Sequence, residues 1–141
     1  MLTSGITHVT ILGMGNNHHQ RDIVFTVAVY KRSDGKNPTR DALQEFERIS
    51  PDLRVAMQQA IVRAQRQSNH ASGLTVHITA GLWCIQIVQR GYTARLFFTF
   101  TKGAQLYLLN GCAVKTTEDT IPNHHLKLAK QLAKEAKAYA Q

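Results

Sequence analysis

Three strand-like runs follow one another between Gly81 and Thr117 with almost no chain between them. Leu82 to Gln89, Tyr92 to Thr101 and Gln105 to Val114 are dense in β-branched, aromatic and aliphatic residues, and Arg90-Gly91 and Lys102-Gly103 separate them. A glycine in so short a connection marks a tight hairpin, because the turn needs a positive φ that glycine takes without steric cost. The stretch therefore predicts a three-strand antiparallel meander holding the only Trp and both Cys. Side chains alternate along a strand. Trp83, Ile85, Ile87, Ala94, Leu96, Phe98 and Phe100 fall on one face. Cys84, Gln86, Val88, Thr93, Arg95, Phe97 and Thr99 fall on the other. The first set needs a cover. The second places Gln86 beside Arg95 and is the face expected to carry function.

Two helices are predicted to supply the cover. Asn37 can cap the first, with Pro38 at its first position and Ala42, Leu43, Phe46 and Ile49 at helical spacing. Ser50-Pro51 ends it and starts the second. There Leu53, Ala56, Met57, Ala60, Ile61 and Ala64 make the cleanest amphipathic stripe in the chain. Asp22 to Tyr30 reads as a strand, Ser68 to Gly73 as a loop, and Leu74 to Ile78 as a short strand. After Ile121-Pro122 a last helix runs to about Tyr139, with Leu126, Ala129, Leu132, Ala133 and Ala136 apolar and Lys127, Lys130, Lys134 and Lys137 basic. The order β-α-α-β-β-β-β-α predicts an α+β fold with an antiparallel sheet.

The chain carries 17 Lys and Arg against 9 acids, a net charge of +8. Such a surface attracts polyanions, nucleic acid foremost, with an acidic protein partner as the plainer alternative. Cys84 and Cys112 lack metal-ligand spacing and read as reduced, small apolar residues, which fits the cytoplasm. No apolar run approaches the ~20 residues of a membrane span. Residues 1–20 read as an extension with a short strand near Thr7 to Leu12 and a polar connector. Gly13-Met14-Gly15 imitates a dinucleotide-binding loop, but His18 stands where the third glycine belongs and a strand follows instead of a helix, so no nucleotide cofactor is expected. His18-His19 has no partner at metal-ligand spacing.

Five words in order carry a resemblance: DGKNPTRDALQEF (34–46), GLWCIQI (81–87), GYTARLFFTF (91–100), YLLNGCAVKTT (107–117) and IPNHHLKLAKQLAKE (121–135). They resemble the RelE/HigB superfamily of bacterial toxins, in its phage-derived HigB-type branch, over about Arg21 to Tyr139. The resemblance implies a RelE-like fold over residues 21–141. It also implies a cytoplasmic toxin of a type II toxin–antitoxin system, neutralised by a helix-turn-helix antitoxin. The implied activity is a metal-independent endoribonuclease, needing no cofactor, that cuts mRNA, often on the ribosome.

Attack by a 2′-hydroxyl on its neighbouring phosphate needs a base, charge stabilisation for the phosphorane, and an acid for the leaving oxygen. The resemblance puts Arg95 on the stabilising arginine and Lys115 on a phosphate-contacting or acid lysine. Gln86 becomes a substrate-orienting residue. Arg90, Lys102, Asn110, Lys127 and Lys130 are expected on RNA. His77 and Tyr92 are the candidate acid and base, each with a structural role as the plainer reading. This chain also departs from the family pattern. Gln86 replaces an arginine, Cys84 a glutamate, Asn110 a histidine, Cys112 a phenylalanine and Val114 a lysine. Either other cations compensate, or the chain is a non-catalytic RNA- or protein-binding module on the same fold.

Overall fold

The computed structural model describes residues 10–12 and 22–140. The glycine-containing loop, His18-His19 and most of the N-terminal extension lie outside the described residues. Thr10–Leu12 (β1) pairs antiparallel with Asp22–Val24 (β2). The strand predicted over Asp22 to Tyr30 is broken at Phe25, whose N–H donates to the Gln65 carbonyl at 2.6 Å. Its second half, Thr26–Val29 (β3), joins the main sheet.

That sheet contains Thr75–Thr79 (β4), Leu82–Gln89 (β5), Tyr92–Thr101 (β6) and Gln105–Lys115 (β7), in the spatial order β3-β7-β6-β5-β4. The meander is antiparallel as expected. The whole sheet is mixed, because β3 runs parallel to β7. Arg90 and Gly91 both take positive φ (56° and 79°), the geometry that matches hairpin twist. The second turn has three residues, with Gly103 and Ala104 both at positive φ.

Pro38–Ile49 (α1) and Pro51–Ala64 (α2) cover one face. Asn37 caps α1, its side chain accepting from the Arg40 N–H at 3.0 Å. Ser50 closes α1 through its backbone N–H but makes no side-chain cap for α2. Phe46, Leu53, Met57, Ile85, Leu96 and Phe98 are fully or almost fully buried between the helices and the sheet. The predicted loop at Ser68 to Gly73 is a short helix, Gln67–Asn69 (α3), followed by one wide helical turn from His70 to Leu74. Ser68 ties it to β2, its N–H and hydroxyl both donating to the Asp22 carboxylate at 3.0 Å.

The last helix, Asn123–Tyr139 (α4), lies on the opposite face. The face read as open and functional is therefore largely covered: Ala129, Leu132, Ala133 and Ala136 pack with Leu82, Cys84, Phe97 and Leu109 in a second core. The stripe that forms α4 is legible in the sequence, but its docking partner is not. The far end of α4 is clamped by Glu135, which accepts from Arg32 at 2.9 and 3.2 Å and from the Tyr30 hydroxyl at 3.1 Å. The Arg32 hydrogen bonds hold the Glu135 carboxyl below its ordinary range.

A carboxyl depressed in the folded state contributes stability above its unfolded pKa, and loses it as pH falls through the folded value. Glu135→Gln should therefore lower the urea midpoint at pH 7. Its deficit should shrink as pH falls below the ordinary value of 4.5. Urea titrations of both proteins from pH 7 down to about pH 3 check this.

Candidate functional site

Arg95 is the only charged residue in β6 and is 7% exposed. It pairs in register with Gln86 on β5 and Cys112 on β7, so the three form one row on the α4 side of the sheet. The guanidinium is held at two points. Nε donates to Gln86 Oε1 at 3.0 Å, and Nη2 donates to Asp119 Oδ1 at 2.6 Å. Nη1 is buried with no hydrogen-bond partner among the described residues. Burial pushes the Cys84 thiol up to about 12, against the pull of the Arg95 charge, and raises Cys112 as well. Both thiols are free, buried and protonated, so neither is a ready nucleophile.

β7 supplies the second half of the site through a bulge. Between the pairs Leu96↔Gly111 and Phe98↔Leu108, β7 spends one residue more than β6. The bend sends both Leu109 and Asn110 toward α4. Asn110 is 4% exposed and donates through Nδ2 to the His125 carbonyl at 3.0 Å, fixing the first turn of α4 to the sheet. The Thr39 hydroxyl donates to the Leu109 carbonyl at 2.5 Å, fixing α1 to the same bulge. An open groove of about 520 Å³ lies between α1, the bulged end of β7 and the start of α4, with Arg32, Asp41, Glu45, Asn110, Cys112 and His125 among its lining. Cys112 thus stands between the groove and Arg95. Burial, and then the neighbouring His124, hold His125 below the ordinary histidine value.

The structure brings Arg95, Gln86 and Asn110 to one face and separates the other expected site residues from them. Tyr92 packs against the α1–α2 core, and Lys115 is its cross-strand partner at an exposed strand end. By strand alternation both lie on the side away from Arg95. His77 is exposed on the edge strand β4 and rests on Trp83, ring centroids 5.1 Å apart, also on the helix-pair side. Arg90 is turned to Asp52 at the start of α2 and forms an ion pair with it. Lys102 sits in the turn at the other end of β6, near Lys137. Lys127 and Lys130 are exposed on α4. Two residues of the site escape the sequence reading. Asp119 lies in an irregular segment, where no periodicity points to it. His125 is visible as half of a His-His pair, but its burial is not.

A family model for phage-derived Gp49-like proteins (DUF891) matches residues 44–134, from within α1 through most of α4. The chain belongs to this family. Gp49-like proteins fall within the RelE/HigB-like toxins, and the α+β fold with its terminal helix is compatible with the RelE-like fold. A search of curated proteins found no match. The matched span contains the whole Arg95 row, the bulge and Asp119.

Gly111 is where this site is tightest. A Cβ there would stand 2.6 Å from the Arg95 carbonyl and 3.1 Å from Ala42 Cβ. The first contact is to backbone and cannot be relieved by a side-chain rotation. Gly111→Ala should cost about 1–3 kcal/mol by overpacking, read as a lower urea midpoint at unchanged slope.

Proposed function

We propose that this Gp49-like protein is the toxin of a type II toxin–antitoxin system and cleaves mRNA without a metal, on the ribosome. Membership in a toxin family supports the coarser half of that reading. The observation that carries the finer half is Arg95: a lone guanidinium, fixed on a rigid strand by Gln86, in a +8 chain. A cation pre-organised in a nearly dry site stabilises a phosphorane more strongly than one in water, and a guanidinium fits phosphate oxygens two at a time.

In the proposed reaction the 2′-hydroxyl loses its proton to a base and its oxygen attacks the adjacent phosphorus. The bond to the 5′-oxygen breaks, and that oxygen leaves protonated. The products are a 2′,3′-cyclic phosphate and a 5′-hydroxyl. Arg95 stabilises the charge on the phosphorane. Gln86 orients Arg95 rather than the substrate, because its Oε1 is engaged by Nε. Lys127 and Lys130 on α4 attract the RNA backbone. Lys115, on the opposite face of the sheet from Arg95, contributes to that attraction and not to the chemical step. The partners are the mRNA, the ribosome and a helix-turn-helix antitoxin, and the setting is the cytoplasm. Among the described residues no helix is long and apolar enough to cross a membrane.

A second reading, a non-catalytic RNA-binding module, draws on one specific observation: Arg95 already has a carboxylate partner. Brief induction in a bacterial host, with mapping of mRNA 5′ ends, separates the two. The nuclease reading predicts new 5′-hydroxyl ends and growth arrest. Arg95→Gln should lower cleavage by about 10²–10³, while Lys115→Ala should retain most of it. Salt-dependent RNA binding with no new ends would leave the binding module standing.

A further inference from the structure

Arg95 is where the fold and the proposed chemistry meet, and its guanidinium is not free. Its side chain is 8% exposed, whereas that of Asp119, 2.6 Å from Nη2, is 47% exposed. A ligand approaching from solvent meets the carboxylate, not the guanidinium. To a guanidinium, a carboxylate and a phosphodiester offer the same thing: two anionic oxygens set to accept a pair of parallel N–H bonds. They compete for one seat.

We propose that Asp119 is a gate. Its carboxylate occupies the position on Arg95 that a phosphodiester oxygen takes, and an anionic ligand reaches Arg95 only when the segment around Thr116–Thr120 carries Asp119 away. The inference rests on the reading of Arg95 as the phosphate-binding group. Three features make the movement feasible. Lys115 through Thr120 are all exposed, so displacing them opens no core. The segment is a single tight turn, Thr116–Glu118, and a short irregular stretch, tied by backbone hydrogen bonds at Thr116 (to the Gly91 carbonyl, 2.9 Å) and Thr120 (to the Glu118 carbonyl, 2.6 Å). Asp119 is already half in water, so releasing it costs little desolvation. Gln86 meanwhile keeps its hydrogen bond to Nε, and Arg95 stays aimed. Asp119 cannot instead serve as the general base from this position. While it is paired, the buried guanidinium has no exposed edge for the phosphate whose 2′-hydroxyl would be activated.

The gate is tested by binding, apart from cleavage. The probe is a 2′-O-methyl RNA oligonucleotide, which has no free 2′-hydroxyl to react, and fluorescence anisotropy at fixed salt reads the affinity of the full chain. Asp119→Asn should bind at least about tenfold tighter than the parent, the weight of a charge-assisted hydrogen bond freed from competition. Arg95→Gln in the Asp119→Asn background should remove that gain. Equal or weaker binding by a folded Asp119→Asn protein overturns the gate. So does loss of cleavage at unchanged affinity, which would make Asp119 a group of the chemical step. If Arg95→Gln changes affinity in neither background, the phosphate reading of Arg95 is what fails. A measurement on the unmodified protein covers the case where Asp119→Asn does not fold: on saturation with the oligonucleotide, amides 116–120 should exchange hydrogen faster. Unchanged or slower exchange overturns the proposal.

Discussion

A cation placed in a strand covered on both faces sets the terms for its surroundings. Every residue of β6 from Thr93 to Thr99 is buried, between α1 and α2 on one side and α4 on the other. A charge in that position costs several kcal/mol unless it is paired and hydrogen-bonded. Arginine is the residue best able to sit there, being planar, weakly hydrated and rich in donors. Its partners have to come to it. Gln86 arrives through strand register, and Asp119 arrives from beyond the end of β7. Asn110, turned by the bulge, then fastens the first turn of α4, and the Arg32–Glu135 pair fastens its far half. The closed face of the sheet and the pairing of Arg95 are two results of one packing problem.

What is legible in the chain is what repeats locally. The meander, the Asn37 cap, the α2 stripe and the apolar side of α4 each follow from local pattern, a period of two or of 3.6 or a capping residue, and each appears where expected. What is not legible depends on distant partners. The parallel pairing of β3 with β7 joins residues about 80 apart and leaves no local trace. The break at Phe25 exists because the Gln65 carbonyl lies beside it. The polar residues from Gln67 to Gly73 have no apolar stripe and so look like loop. They are helical up to the kink at Gly73 because β2 and the end of α2 hold them. The site divides the same way. Alternation alone places Gln86 and Arg95 together. It says nothing of Asp119, in irregular chain. Tyr92 and Lys115 are the instructive case: alternation already puts Tyr92 with Ala94, on the helix-pair side. Lys115 enters the expected site through resemblance to a family pattern and Tyr92 as a chemically suitable acid or base, and neither ground carries the face on which a residue sits.

The charge count around Arg95 also has a physical sense. Residues 86 and 95 are direct cross-strand partners, with Cβ atoms about 5 Å apart in such a pair. Two arginines there would place like charges opposite one another in a nearly dry row, tolerable only with two anions to answer them. This chain has one arginine, one neutral amide and one carboxylate, and that set is neutral by itself. Gln86 and Asp119 are thus complementary partners: the glutamine adds no second cation for the fold to answer, and the aspartate answers the one present. A row of two arginines would remain electrostatically incomplete until an anionic substrate filled it, and would attract that substrate strongly. A self-neutralised row gives up part of that attraction for a balance of charge at rest. Under the proposed function, the long-range pull on RNA then falls to the exposed lysines of α4, which lie outside the row.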